Sequence, residues 1–250
     1  MTLRATGRIC WFAWEVMLVT VNYFLTAARA PHDRQRLARA EWLSRSSRRH
    51  LKIFGYSARV SGTIPTRGIL FSNHLSYLDI LAISSVTPAV FVSKADVRRW
   101  PLFGWFAAIA GTVFVNRERR THVGAVNQEV EAALAAGALV VIFPEGTSSD
   151  GSQILPFRTS LLEPAARGQH LIFVSWLHYD LTGGHAGQEV CYWGDHSFFP
   201  HLLNLLGKKS IQATLRFAPF ERTTGDRKVL AGELHQAVEA LADGRLPAAD

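Results

Sequence analysis

The chain lacks the usual signatures of covalent and metal catalysis. Only two cysteines, Cys10 and Cys191, occur in 250 residues, which leaves no disulfide framework and no thiolate metal pair and suits a reducing compartment. No Gly-x-Ser-x-Gly elbow presents a serine nucleophile. His178, His185, His196 and His201 do not fall into a His-Glu-x-x-His pattern and read as ordinary loop histidines, so no metal is expected. No zinc-finger or RNP pattern, internal repeat or low-complexity linker appears, and nucleic acid is not an expected partner. Acidic residues are scarce at one end. Residues 1 to 52 carry ten Lys and Arg against Glu15, Asp33 and Glu41, a net of +7, while residues 53 to 250 balance 17 basic against 17 acidic.

A basic excess confined to the front of the chain favours anionic lipid headgroups over a nucleic-acid groove. Ile9 to Ala28 supports that reading: it is a 20-residue apolar stretch with Trp11, Trp14, Tyr23 and Phe24, long enough as a helix to cross a bilayer core of about 30 Å. Arg8, Glu15, Asn22 and Thr26 recur along it and predict a polar stripe, which fits a helix lying on the membrane or paired with a second one. If the helix spans, Arg29, Arg34, Arg36 and Arg39 outnumber Arg4 and Arg8 and place the main domain on the cytoplasmic face. Ala28-Arg29-Ala30 imitates a signal-peptide cleavage site, but Pro31 behind it and Glu15 within the apolar run argue against cleavage. Arg34 to Lys52 reads as a basic amphipathic helix. The expected organisation is a membrane-associated helical hairpin over residues 1–55, followed by one catalytic domain over 56–250.

Beyond Gly68 the chain alternates strand-like and helical runs. Ile69 to Asn73, Ala89 to Ser93, Thr112 to Asn116 and Ala138 to Phe143 read as strands, separated by helical runs at Tyr77 to Ser85, Leu102 to Ala110 and Thr121 to Ala136. Leu171 to Tyr179 and Ile211 to Phe217 read as further strands, and Lys228 to Asp243 as a closing helix. The alternation predicts an α/β fold with a mostly parallel sheet covered by helices.

Three segments carry chemistry. His74 and Asp79 are five residues apart, so on one helix they would diverge by about 140°. They meet only if His74 leaves a strand end and Asp79 opens the next helix, which makes a base held by an orienting acid. The plainer reading is a strand-to-helix junction with Asp79 as a cap. Val140 to Phe143 runs into Pro144-Glu145-Gly146-Thr147, where Gly146 permits close approach of the backbone and Glu145 stands at a strand end. Gly111 to Asn116 delivers Arg117, a group suited to phosphate or carboxylate. Parallel strands would bring His74, Arg117 and Glu145 to one sheet edge. Trp100 to Ala110 is very apolar and fits an acyl-chain tunnel, a membrane-dipping loop or plain core.

Together the segments resemble the glycerolipid acyltransferases typified by 1-acylglycerol-3-phosphate acyltransferase. Asn73-His74 to Asp79 matches its Asn-His-x4-Asp block, Val113 to Arg117 its Phe-x-x-Arg block, and Phe143 to Thr147 its Phe-Pro-Glu-Gly-Thr block, in order, within residues 68 to 180. The resemblance implies His74 as general base on the acceptor hydroxyl, Asp79 as its support, and Arg117, Glu145, Gly146 and Thr147 as acceptor-binding residues. It also implies acyl-CoA or acyl-carrier protein as co-substrate, a lysolipid acceptor and no cofactor. Ser148 stands where many phosphatidate-forming members have Arg, Phe157-Arg158-Thr159-Ser160 replaces a Phe-Lys-x-Gly element, and Val174-Ser175 replaces Val-Pro. The implied acceptor is 1-acylglycerol-3-phosphate, with lyso-ornithine lipid as the alternative.

Overall fold

A computed structural model describes residues 3–115, 120–167 and 170–245. Helices α1 (Leu3–Leu25) and α2 (Gln35–Ile53) come first, then strands β1 (Tyr56–Gly62) and β2 (Gly68–Ser72). Next are α3 (Leu78–Val86), β3 (Val90–Lys94), α4 (Phe103–Ile109), β4 (Val113–Val115), α5 (Arg120–Ala135) and β5 (Leu139–Ile142). The chain continues with α6 (Glu163–Arg167), β6 (Ile172–Leu181), α7 (Ala186–Glu189), α8 (Phe198–Gly207), β7 (Ile211–Phe220) and α9 (Arg227–Ala242).

The strands form one sheet in the order β1-β7-β6-β2-β5-β3-β4. Every neighbouring pair is parallel except β6 and β7. The central strands β2 and β5 are unbroken apolar runs, as strands covered on both faces must be, and both are buried almost throughout. Alternate side chains feed two cores. Ile69, Phe71, Val140 and Ile142 pack with Val130, Leu134, Leu230 and Leu234 of α5 and α9. Leu70, Leu139 and Val141 pack on the other face with Leu78, Ile83, Leu202 and Leu205 of α3 and α8.

The expected sheet and closing helix are present, and two features go beyond the expectation. Strand β1 is an edge strand exposed along nearly its whole length, so it carries no apolar pattern to read; its parallel pairing with β7 holds it in place. Between β6 and β7 the chain adds α7 and α8, which places His201 on a helix, while His178 lies within β6 rather than in a loop.

Helices α1 and α2 run antiparallel: Phe12 meets His50 and Phe54, Glu15 meets Arg49, and Val19 and Tyr23 meet Trp42. Of the expected polar stripe, only half turns inward. Glu15 is buried and takes two hydrogen bonds from Arg49, at 2.6 and 2.9 Å, and Arg8 donates to carbonyls at the end of α8. Asn22 and Thr26 are exposed, the latter bonding back to the Asn22 carbonyl. The outer face of α1 is apolar and open, with Trp11, Trp14, Met17, Val21, Phe24 and Leu25 exposed.

Trp42 joins this hairpin to the body of the protein. It is buried, donates Nε1 to the Val19 carbonyl at 2.9 Å and stacks on Phe106 of α4. Replacing it with Ala removes both the packing and the bond, so we expect a loss of about 3–5 kcal/mol, read as a lowered unfolding midpoint in detergent solution. Trp42→Phe keeps most of the volume and is expected to lose less.

Candidate active site

The parallel strands β2, β5, β3 and β4 end on the same side of the sheet, and a cleft of about 250 Å³ opens there. Its walls include His74 after β2, Lys94 at the end of β3, Val115 at the end of β4, and Gly146, Thr147 and Ser148 after β5. This is where α/β sheets place their ligands.

His74 reaches the cleft because Asn73 ends the strand. The Asn73 side chain donates to the Leu177 carbonyl at 2.9 Å and accepts from the Leu177 amide at 2.8 Å, replacing the backbone of β2 in its pairing with β6. The main chain is thereby released from the sheet. Asp79, in the first turn of α3, folds back as expected: its Oδ2 lies 2.7 Å from His74 Nδ1 and also accepts the amides of Leu75 and Ser76 at 2.7 and 3.0 Å. Its Oδ1 accepts the Tyr179 hydroxyl at 2.8 Å. The carboxylate is fully buried, while His74 keeps 22% of its side chain exposed. An aspartate acceptor at Nδ1 holds the proton there and leaves Nε2 free to accept one. The imidazole lies flat against Phe143, with centroids 4.1 Å apart. Asp79 is not the cap of α3, whose N-cap residue is Tyr77 with no side-chain cap bond; one carboxylate oxygen instead serves the preceding loop amides and the ring together.

Glu145 differs from the expectation. It is only 2% exposed, and its oxygens accept the His74 amide at 2.8 Å and the Leu155 amide at 3.2 Å. The carboxylate therefore braces the His74 backbone instead of facing the cleft. Among the described residues these two part-buried amide donors have no other acceptor, and that demand turns it inward. Burial pushes its pKa up to about 7, against the lowering effect of those two amides. Gly146 has φ 71°, a left-handed conformation that closes the turn, and its amide is already bonded to the Phe143 carbonyl. Thr147 is exposed at the cleft. Arg117 lies outside the described residues.

Several participants carried no sequence signal. Tyr179 lies on β6, beside β2, and burial next to the Asp79 carboxylate raises its pKa well above the usual tyrosine range. Lys94 is a cleft cation with no motif around it. Tyr192 and Trp193 come from the added segment before α8. An apolar groove of about 110 Å³ adjoins the cleft and shares Tyr77, Ile80, Val97 and Trp100 with it. Trp100, Phe103, Phe106, Ala107 and Ala110 line this groove against α1 and α2.

Glu145→Gln offers a single oxygen to two amide donors, so we expect a destabilisation of about 1–3 kcal/mol. The pH dependence should change as well. The folded protein holds the Glu145 proton up to about pH 7, against 4.5 for the free side chain. The proton's stabilising contribution is therefore full below pH 4.5 and gone above about 7. Unfolding measured across that window should show a shallower decline in Glu145→Gln than in wild type.

Comparison with known proteins follows the same lines. The family model described as Acyltransferase matches residues 57–178. The chain is 34% identical over 211 residues to a lyso-ornithine lipid O-acyltransferase of Rhizobium meliloti, covering 78% of this chain and 72% of the relative. It is 33% identical over 222 residues to a protein of the same name from Pseudomonas aeruginosa, covering 88% and 83%. A 1-acyl-sn-glycerol-3-phosphate acyltransferase of Neisseria gonorrhoeae is 35% identical over 138 residues, 52% of this chain and 54% of the relative. The crystal structure of the 1-acyl-sn-glycerophosphate acyltransferase from Thermotoga maritima superposes with a TM-score of 0.65 over 97% of both chains at 17% identity, a likeness of fold. With a mostly parallel sheet of this kind, a histidine and aspartate joined across a strand-to-helix turn, and relatives matched over most of their length, the chain belongs to the acyltransferase family.

Proposed function

We propose that the protein transfers a fatty acyl group from a thioester, acyl-CoA or acyl-carrier protein, to the hydroxyl of a lysolipid at the membrane surface. The observation that carries this reading is the His74–Asp79 pair at 2.7 Å, opening on a cleft that runs into an apolar groove. His74 Nε2 takes the proton of the acceptor hydroxyl as its oxygen attacks the thioester carbonyl. A carbon–oxygen bond forms, the carbon–sulfur bond breaks, and the departing thiolate receives the proton back from His74. No covalent acyl-enzyme is needed. Asp79 fixes the tautomer and stabilises the imidazolium. The amides of Thr147 and Ser148 make no hydrogen bond among the described residues, and they supply the oxyanion donors that the Gly146 amide, already engaged, does not. The groove takes the acyl chain.

For the acceptor we place lyso-ornithine lipid first. Matches over 78% and 88% of this chain are long enough that each must include residues 182–195, the segment that supplies Tyr192 and Trp193 to the cleft. The second reading is 1-acylglycerol-3-phosphate, which the Lys94 cation at the cleft favours; Arg117 and Thr147 would serve the same headgroup. Residues 1–55 act as the membrane anchor and 56–250 as the acyltransferase domain, with the catalytic domain on the cytoplasmic face and the basic excess drawn to anionic lipid.

Purified protein incubated with labelled acyl-CoA and a panel of lysolipids should form diacylated product. His74→Ala should abolish it, and Asp79→Asn should reduce turnover by about three to four orders of magnitude. Near-normal turnover in His74→Ala would overturn the mechanism, whereas Ser76→Ala, at a buried hydroxyl off the cleft, should stay active.

Membrane binding is tested on the outer face of α1, because α2 packs on the core and its deletion would disturb the fold. Changing Trp14, Phe24 and Leu25 together to Ser should release the protein from anionic vesicles, each lost side chain costing about 1.5–3 kcal/mol of apolar burial. Full cosedimentation of the triple variant would place the anchor elsewhere.

A further inference from the structure

The segment Val190 to Gly194 crosses the mouth of the catalytic cleft and lies outside the part of the chain that the family model matches. It is anchored by Val190 and Cys191, both buried. Two hydrogen bonds stitch it to the two catalytic turns: the Tyr192 amide donates to the Leu75 carbonyl at 2.8 Å, and the Ser148 hydroxyl donates to the Tyr192 carbonyl. Ser148 is therefore not a missing headgroup ligand, because its hydroxyl holds this wall in place. Trp193 donates its indole N–H to the Gly187 carbonyl at 2.8 Å yet remains 40% exposed. Tyr192 is held edge-on by Trp100, with centroids 5.5 Å apart. Both rings line the cleft beside His74.

The charges around these rings decide what they can recognise. Among the described lining residues none is acidic, and Lys94 is the one Lys or Arg. An anionic part of a headgroup has a partner there. Among the described lining residues a cationic part meets no carboxylate, and the attraction they offer comes from aromatic faces, whose quadrupole draws a cation held within about 6 Å.

We propose that Tyr192 and Trp193 are specificity-determining residues that select an acceptor headgroup carrying an ammonium, bound by cation–π contact while Lys94 holds the headgroup's anionic group. The assignment rests on the lysolipid acyltransferase reading above and names the part of the site that distinguishes an amino-acid headgroup from a phosphomonoester. A phosphate gains nothing from a π face, whereas an ammonium and a carboxylate on one headgroup satisfy both kinds of partner.

The test compares wild type, Trp193→Leu and Trp193→Phe. The first readout is the ratio of kcat/KM for lyso-ornithine lipid over lysophosphatidate. In Trp193→Leu the ratio should fall roughly tenfold through a raised KM for the ammonium-bearing acceptor, and Trp193→Phe should recover most of it. The second readout is inhibition of transfer to lysophosphatidate by decylammonium below its micellar concentration, strong in wild type and weakened in Trp193→Leu. An unchanged ratio, or an equal drop in kcat on both acceptors, would overturn the proposal. If wild type uses lysophosphatidate alone but decylammonium still competes in a Trp193-dependent way, the aromatic wall stands and the acceptor assignment fails. If decylammonium does not compete either, the wall has no such role.

Discussion

The site depends on one buried carboxylate. Asp79 has no exposure to solvent and, among the described residues, no Lys or Arg bonded to it, and it is balanced by donors from three places: the amides of Leu75 and Ser76, the ring of His74 and the hydroxyl of Tyr179. A charge in such a place is tolerable only when its lone pairs are met. Those bonds also shape the loop, so the group that orients the imidazole sets the backbone that carries it. Glu145 repeats the arrangement from the other side, accepting the His74 amide. Its own proton is held more tightly because it is buried and because the Asp79 charge lies near.

Much of this was legible in the sequence because it rests on periodicity and local spacing. The apolar runs of β2 and β5, the five-residue offset of His74 and Asp79, and Gly146 at a turn are all statements about neighbours along the chain. What remained hidden depends on distant pairing. Strand β1 faces solvent and shows no pattern, and the Tyr179 hydroxyl meets Asp79 only because β6 lies beside β2. Glu145 at a strand end reads equally well as a ligand or a brace, and only the two amides it accepts, those of His74 and Leu155, decide between them. Ser148 shows the same limit, since its partner is a carbonyl 44 residues away.

The hairpin and the catalytic domain share surfaces. Trp42, Phe12 and Val16 from α1 and α2 form one side of the groove, and Tyr77, in the turn between His74 and Asp79, forms part of another. Arg8 ties α1 to the end of α8, the helix that follows the aromatic segment at the cleft. The apolar face of α1 and the catalytic cleft are thus joined by packed side chains and a few hydrogen bonds, with no long linker between them.

The open apolar face of α1, next to a groove that leads to His74, bears on how the enzyme meets its substrates. A lysolipid need not leave the bilayer and dissolve to reach such a site. In the proposed membrane-surface reaction, encounter takes place in two dimensions, and what governs the rate is the mole fraction of acceptor in the surface rather than its concentration in bulk. Diluting the acceptor with inert lipid at constant total acceptor would slow the reaction, and diluting the vesicles in buffer at a fixed thioester concentration would not.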